Sequence, residues 1–127
     1  MTDRKIMKWP GTYRPNAPLT AGWKVGNLLF ISGQIPREPD TGVITERDIA
    51  RQTDRVIRNL ALVLKHYDAG LEMVVRCTVY LTDASDLIAY NRVYGELFKP
   101  PYPARSTLIV KLANPDYLIE LDAIAAL

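Results

Sequence analysis

Apolar and polar positions alternate from Arg105 to Lys111, with Arg105, Thr107, Ile109 and Lys111 on one face and Ser106, Leu108 and Val110 on the other. That period of two is the period of a strand. A second such stretch, about 117–126, places Ile119, Leu121, Ala123 and Ala125 on an apolar face and Glu120, Asp122 and Ile124 opposite. Met73–Leu81 is dense in β-branched residues and Leu28–Ser32 is short and apolar, so both read as strands. Val25-Gly26-Asn27-Leu28 reads as a two-residue hairpin turn leading into the latter. Between the strands the period becomes helical. Ile49, Thr53, Val56, Ile57, Leu60, Val63, Leu64 and Tyr67 predict a helix over about 46–67, with Thr45 as its cap and Gly70 as its stop. Thr82-Asp83 predicts the cap of a second helix, about 84–98, with Leu87, Asn91, Tyr94 and Phe98 on one face. Pro100, Pro101 and Pro103 end that helix. Residues 1–22, with Pro10, Pro15 and Pro18, read as irregular apart from a short strand at 5–8.

This order predicts an α+β fold, two helices packed on one face of a mixed β-sheet. At 127 residues the chain reads as a single domain, 1–127. The last two strands are expected to form an antiparallel hairpin reversing at Asn114-Pro115. In that arrangement Glu120 falls across from Ile109 and shares a sheet face with Arg105 and Thr107. The half-polar face so formed calls for water or a second subunit, and we expect a subunit interface with sites in its clefts.

Composition narrows the function classes. Hydrophobic residues make up 48% and charged residues 24%, ordinary for a globular chain, and no apolar run approaches membrane-spanning length. The N-terminus leads into no signal-peptide core, and one cysteine makes no internal disulfide, so a cytoplasmic location is expected. A net charge of +2 with scattered basic residues does not predict nucleic-acid binding. The densest basic stripe, Arg47, Arg51, Arg55 and Arg58, is interleaved with Glu46, Asp48 and Asp54 and reads as a solvated helix face. There is no glycine-rich phosphate loop and no His/Cys/Asp cluster at ligand spacing, so neither a nucleotide nor a metal enzyme is supported. Cys77 reads as core, His66 as a residue near a helix end, and Trp9 and Trp23 as packing or interface residues.

The candidate chemistry lies in the two late strands. A charged residue in an apolar strand needs a partner, a ligand or water. Arg105 and Glu120 therefore read as a site for a small anion with an acid/base group at its far end. A structural ion pair of Arg105 with Glu120 or Asp122 is the competing reading, and Asp122 competes with Glu120 for the role of base.

Taken together, Ile31-Ser32-Gly33-Gln34-Ile35-Pro36, Asn59-Leu60, Val79-Tyr80-Leu81-Thr82-Asp83, Asn91-Arg92-Val93-Tyr94, Pro103-Ala104-Arg105-Ser106 and Ile119-Glu120-Leu121-Asp122-Ala123-Ile124-Ala125 resemble the RidA (YjgF) family over residues 15–127. The resemblance implies a chorismate-mutase-like fold, assembled as a homotrimer with clefts between subunits. It implies hydrolysis of reactive enamines and imines, such as 2-aminoacrylate and 2-aminocrotonate, to 2-keto acids and ammonia, with no cofactor. It assigns the substrate carboxylate to Arg105 and the attacking water with its proton to Glu120. Ser32, Gly33, Asn91, Ala104, Thr107 and Leu19 are then expected to line the pocket. Two positions depart from the common pattern: Leu19 stands where many members have tyrosine, and Thr107 where such members have cysteine. Both suggest a shifted substrate preference, bulkier or more apolar near Leu19. Rival readings are a non-catalytic trimer that senses small carboxylates, a catabolic deaminase for another enamine such as an aminomuconate, and an RNA-cleaving protein.

Overall fold

The computed structural model describes residues 3–127. Its elements are β1 (Arg4–Ile6), β2 (Gly22–Val25), β3 (Leu28–Gln34), α1 (Ile49–Lys65), β4 (Val74–Leu81), α2 (Leu87–Leu97), β5 (Ala104–Ile109) and β6 (Ile119–Ala126). The six strands form one sheet in the order β1-β2-β3-β6-β4-β5. Every pairing is antiparallel except that of β4 with β5, which is parallel. The helix α2 makes the crossover between these two parallel strands, as a parallel connection requires. Both helices pack on the same face of the mixed sheet, the expected α+β architecture.

The core follows the predicted periodicity closely. Val56, Ile57, Leu60, Val63 and Leu64 of α1 are buried against Cys77, Val79 and Leu81 of β4 and against Ile119, Leu121, Ala123 and Ala125 of β6. Gly26, at φ +59°, takes the left-handed turn position between β2 and β3, where a residue without Cβ is favoured. The buried Gln52 is the polar exception on α1. Its Nε2 donates to the carbonyls of Glu46 and Asp116, and its Oε1 accepts from Leu118 N at 2.8 Å. One side chain thus ties the start of α1 to the segment that delivers β6.

Three expectations need correction. The last two strands form no hairpin: β4 lies between β5 and β6. Its apolar side chains gain most from a central position with a partner on each edge, and the 110–118 connection is long enough to pass around it. The cap of α1 is Asp48, whose carboxylate accepts from Arg51 N at 2.9 Å; Thr45 lies outside the helix. The second helix begins later than predicted, because Asp83 caps a short 3₁₀ turn, Ala84–Asp86, that precedes α2. Within the arginine stripe, Arg47, Arg51 and Arg58 pair with surface carboxylates, as expected of a solvated face.

Candidate functional site

The central position of β4 separates the two predicted catalytic residues. Arg105 stands in one lateral row with Cys77 and Ala123, both buried on the helix side. Glu120 stands in register with Tyr80, on the other side of the sheet. Side chains in one lateral row share a face and successive residues alternate, so Arg105 and Thr107 point to the helices while Glu120 and Asp122 point to the open face. The expectation that Arg105 and Glu120 share a face is therefore overturned within one chain.

Arg105 lies over the aromatic rungs of α2. Its guanidinium carbon is 4.7 Å from the ring centre of Tyr94 and 5.0 Å from that of Tyr90, a cation–π arrangement that orients the fork. Tyr90 and Thr107 share a hydroxyl–hydroxyl hydrogen bond of 2.8 Å, which couples the same helix to β5. Burial raises the pKa of both tyrosines, so both rings stay neutral beneath the cation. Among the described residues no carboxylate lies within ion-pair distance of Arg105, which removes the structural ion-pair reading. A shallow depression joins Arg105 to Asn91, Tyr94, Gly95, Tyr102 and Pro103. Asn91 is exposed there and does not belong to the apolar face of α2, where Tyr90 takes that role. Ala104 is exposed at the start of β5.

Glu120 belongs to a different pocket, of about 250 Å³, whose wall includes Leu19, Ser32, Gly33 and Glu120. Here β3 carries a bulge: Ile31 to Gln34 spans three steps against two from Ala123 to Leu121 on β6. The extra residue brings the backbone at Gly33 under the Glu120 carboxylate, so closely that a Cβ on Gly33 would overlap Glu120 Oε2. Burial, and then the charge of Asp122, raise the pKa of Glu120 above its ordinary value. Asp122 is itself engaged, accepting from the Tyr80 hydroxyl at 2.9 Å. No donor among the described residues binds the Glu120 carboxylate in this way, so its oxygens are left open to the pocket where one of Asp122's is taken. Ser32 is fixed by donating Oγ to Thr20 O at 2.7 Å.

The predicted site residues thus divide into two groups, Leu19, Ser32, Gly33 and Glu120 in one pocket, Asn91 and Arg105 in another, with Thr107 bonded behind the second. The sequence reading missed the aromatic floor under Arg105, although Tyr90, Tyr94 and Phe98 recur at the i, i+4 spacing that signals it. It also missed Trp9 and Tyr13 in the wall of the Glu120 pocket, because the N-terminal segment shows no periodicity, and Arg37 and Asn59, which local pattern does not place beside Glu120. Cys77 is core, as expected, and burial pushes its thiol up to about 11. No helix among the described residues is long and apolar enough to cross a membrane.

The chain is an α+β layer in which the arginine at one sheet edge has no carboxylate within ion-pair distance among the described residues, and a half-buried glutamate lies on the open face. Comparison with known proteins then places it. The profile of the family described as Endoribonuclease L-PSP matches residues 12–127. A RutC family protein of Pyrococcus abyssi is 45% identical over 112 residues, covering 88% of each chain. The chloroplastic Reactive Intermediate Deaminase A of Arabidopsis thaliana is 34% identical over 110 residues, 87% of this chain and 59% of that one. The crystal structure of YyfA from Yersinia pestis, described as a Rid family protein of unknown function, superimposes with a TM-score of 0.90 at 29% identity, over 98% of this chain and all (100%) of that one. The chain belongs to the RidA family, as the resemblance in its motifs implied.

Proposed function

We propose that this protein is a hydrolase of reactive 2-imino and 2-enamino acids, working in the cytosol as a homotrimer whose clefts join Arg105 of one subunit to Glu120 of the next. The observation that carries the reading is the pair of unspent charges. Among the described residues Arg105 is oriented by two rings yet has no carboxylate, and Glu120 is half-buried yet has no side-chain donor. Each is complete only when a substrate and a neighbouring subunit supply what the single chain lacks. The kinship with a protein named for reactive-intermediate deamination supports the same chemistry.

In this reading the Arg105 fork takes both oxygens of the substrate carboxylate, and the Tyr94 and Tyr90 rings hold it in place. An enamine first tautomerises to its imine by moving a proton from nitrogen to carbon. Glu120 holds a water against the imine carbon and accepts its proton as the C–O bond forms, giving a tetrahedral carbinolamine. Glu120 returns that proton to nitrogen, completing the neutral carbinolamine, and then carries the hydroxyl proton to nitrogen as well, so that ammonia leaves with the electrons of the C–N bond as the keto group forms. Water and imine give keto acid and ammonia. A carboxyl whose pKa lies above the ordinary range suits both halves of that exchange.

The test is keto-acid release from 2-aminocrotonate and from 2-aminoacrylate made in situ, with the wild type beside Arg105→Ala. Acceleration over spontaneous hydrolysis, lost in the variant, is the expected result. No acceleration by folded protein overturns the reading.

A further inference from the structure

The Glu120 pocket is larger than a three-carbon substrate requires. Its space is about 250 Å³, where a single water needs only about 10–15 Å³. A 2-aminoacrylate-type molecule, its carboxylate held on Arg105 outside this pocket, would bring only the reacting carbon, its nitrogen and one further carbon into it. Besides Gln34, Ile35 and Asn59, much of the wall comes from two segments outside the motifs that carry the resemblance: the N-terminal stretch, with Trp9, Pro10 and Tyr13, and the turn after β3, with Pro39. These residues, with Leu19 and Ile35, present rings and aliphatic carbons to the space.

The polar groups of the same wall are mostly engaged elsewhere. Arg37 donates Nε to the Tyr117 hydroxyl and Nη1 to Gly42 O, both at 2.7 Å, and lies against the rings of Tyr13 and Tyr117. Glu38 accepts from the backbone N–H groups of Asp40 and Thr41, which with the Thr41 contact first among them hold it ionised. An ionised glutamate in the wall opposes a second carboxylate. Asn59 gives both its amide donors to Ile35 O and Arg37 O, while its buried Oδ1 has no partner among the described residues.

Resting on the hydrolase reading above, we infer that this pocket takes the side chain of the substrate, and that the preferred substrates are 2-imino acids with aromatic or large branched apolar side chains, neither the three-carbon species nor an acidic one. Filling an apolar pocket with matching carbon is worth about 10- to 200-fold in discrimination for each group added.

The experiment uses imines generated in situ by an amino-acid oxidase from phenylalanine, leucine, alanine and glutamate, with keto-acid formation followed over the spontaneous rate. In parallel, calorimetry measures binding of phenylpyruvate and pyruvate. The variant is Leu19→Trp, which fills the pocket from a residue that is 46% exposed and so is not needed by the core. We expect kcat/KM for the phenylalanine and leucine imines to exceed that for the alanine and glutamate imines by about tenfold or more. Leu19→Trp should lower that ratio about tenfold, and phenylpyruvate should bind more tightly than pyruvate only in the wild type. Equal or better turnover of the alanine imine overturns the inference and leaves the hydrolase reading standing. No turnover of any imine, with phenylpyruvate binding that Leu19→Trp abolishes, overturns the hydrolase reading and leaves the pocket's preference standing. No turnover and no preference for phenylpyruvate overturns both.

Discussion

Arg105 and Glu120 lie on opposite faces of one sheet, with β4 between their strands. No rotamer change brings two side chains through a packed sheet, so a site using both must take them from two subunits. Refolding Arg105→Ala together with Glu120→Gln in equal amounts tests this. Each variant alone should be inactive. Random mixed trimers should recover about a quarter of wild-type activity, since one cleft in four receives an intact residue from both sides. A mixture as inactive as its parents would show that each cleft draws both residues from one subunit.

Gly33 lets the Glu120 carboxylate rest directly on the β3 backbone. Gly33→Ala should displace that carboxylate by about the width of a methyl group, and misplacement on this scale costs about 10²-fold in rate. Circular dichroism and thermal melts should show a folded protein, because the new methyl faces the pocket. Unchanged kcat/KM would remove Glu120 from the reaction.

The raised pKa of Glu120 has a defined sign for stability. A carboxyl raised in the folded state stabilises most when protonated, fully so below the ordinary value of 4.5, and that contribution is lost as pH rises through the higher folded value. Glu120→Gln should therefore raise Tm at neutral pH, by about 1–3 °C after allowance for solvent screening of a half-buried group. The gain should vanish as pH falls below the ordinary glutamate range. In the same variant kcat/KM should drop by about 10²-fold or more, and the acid limb of the wild-type pH profile should disappear. Melts and rates across pH 4–8 check both.

Gln52 is the buried polar link between α1 and the approach to β6. Gln52→Ala leaves Leu118 N and two carbonyls without partners, and should cost about 2–4 kcal/mol in denaturant unfolding. Because Leu118 immediately precedes the strand that carries Glu120, activity should fall in the folded fraction as well. A cost below about 0.5 kcal/mol would mean that water replaces the amide fully.

Much of this protein is legible in its sequence, and the limits are specific. The apolar faces of α1 and β6 were readable because burial imposes the periods 3.6 and 2 on local sequence. The Gly26 turn was readable from its residue types, and the family from ordered motifs that include Arg105 and Glu120. Of the aromatic ladder, Tyr94 and Phe98 are legible on the apolar face of α2, whereas the spacing alone puts Asn91 in the place that Tyr90 takes. The Trp9–Tyr13 wall carried no such signal, since irregular segments obey no period and are placed by what they pack against.

The sequence by itself determined which residues face the same way along each strand and helix, because that is a local consequence of backbone geometry. Only the tertiary structure decided which strands are neighbours. The alternations of β5 and β6 are equally consistent with a hairpin and with two strands flanking β4. The choice rests on a non-local term, the burial gained by giving the apolar strand β4 a partner on each edge. That choice places Arg105 and Glu120 on opposite faces and leaves each without an ionic partner among the described residues of its own chain.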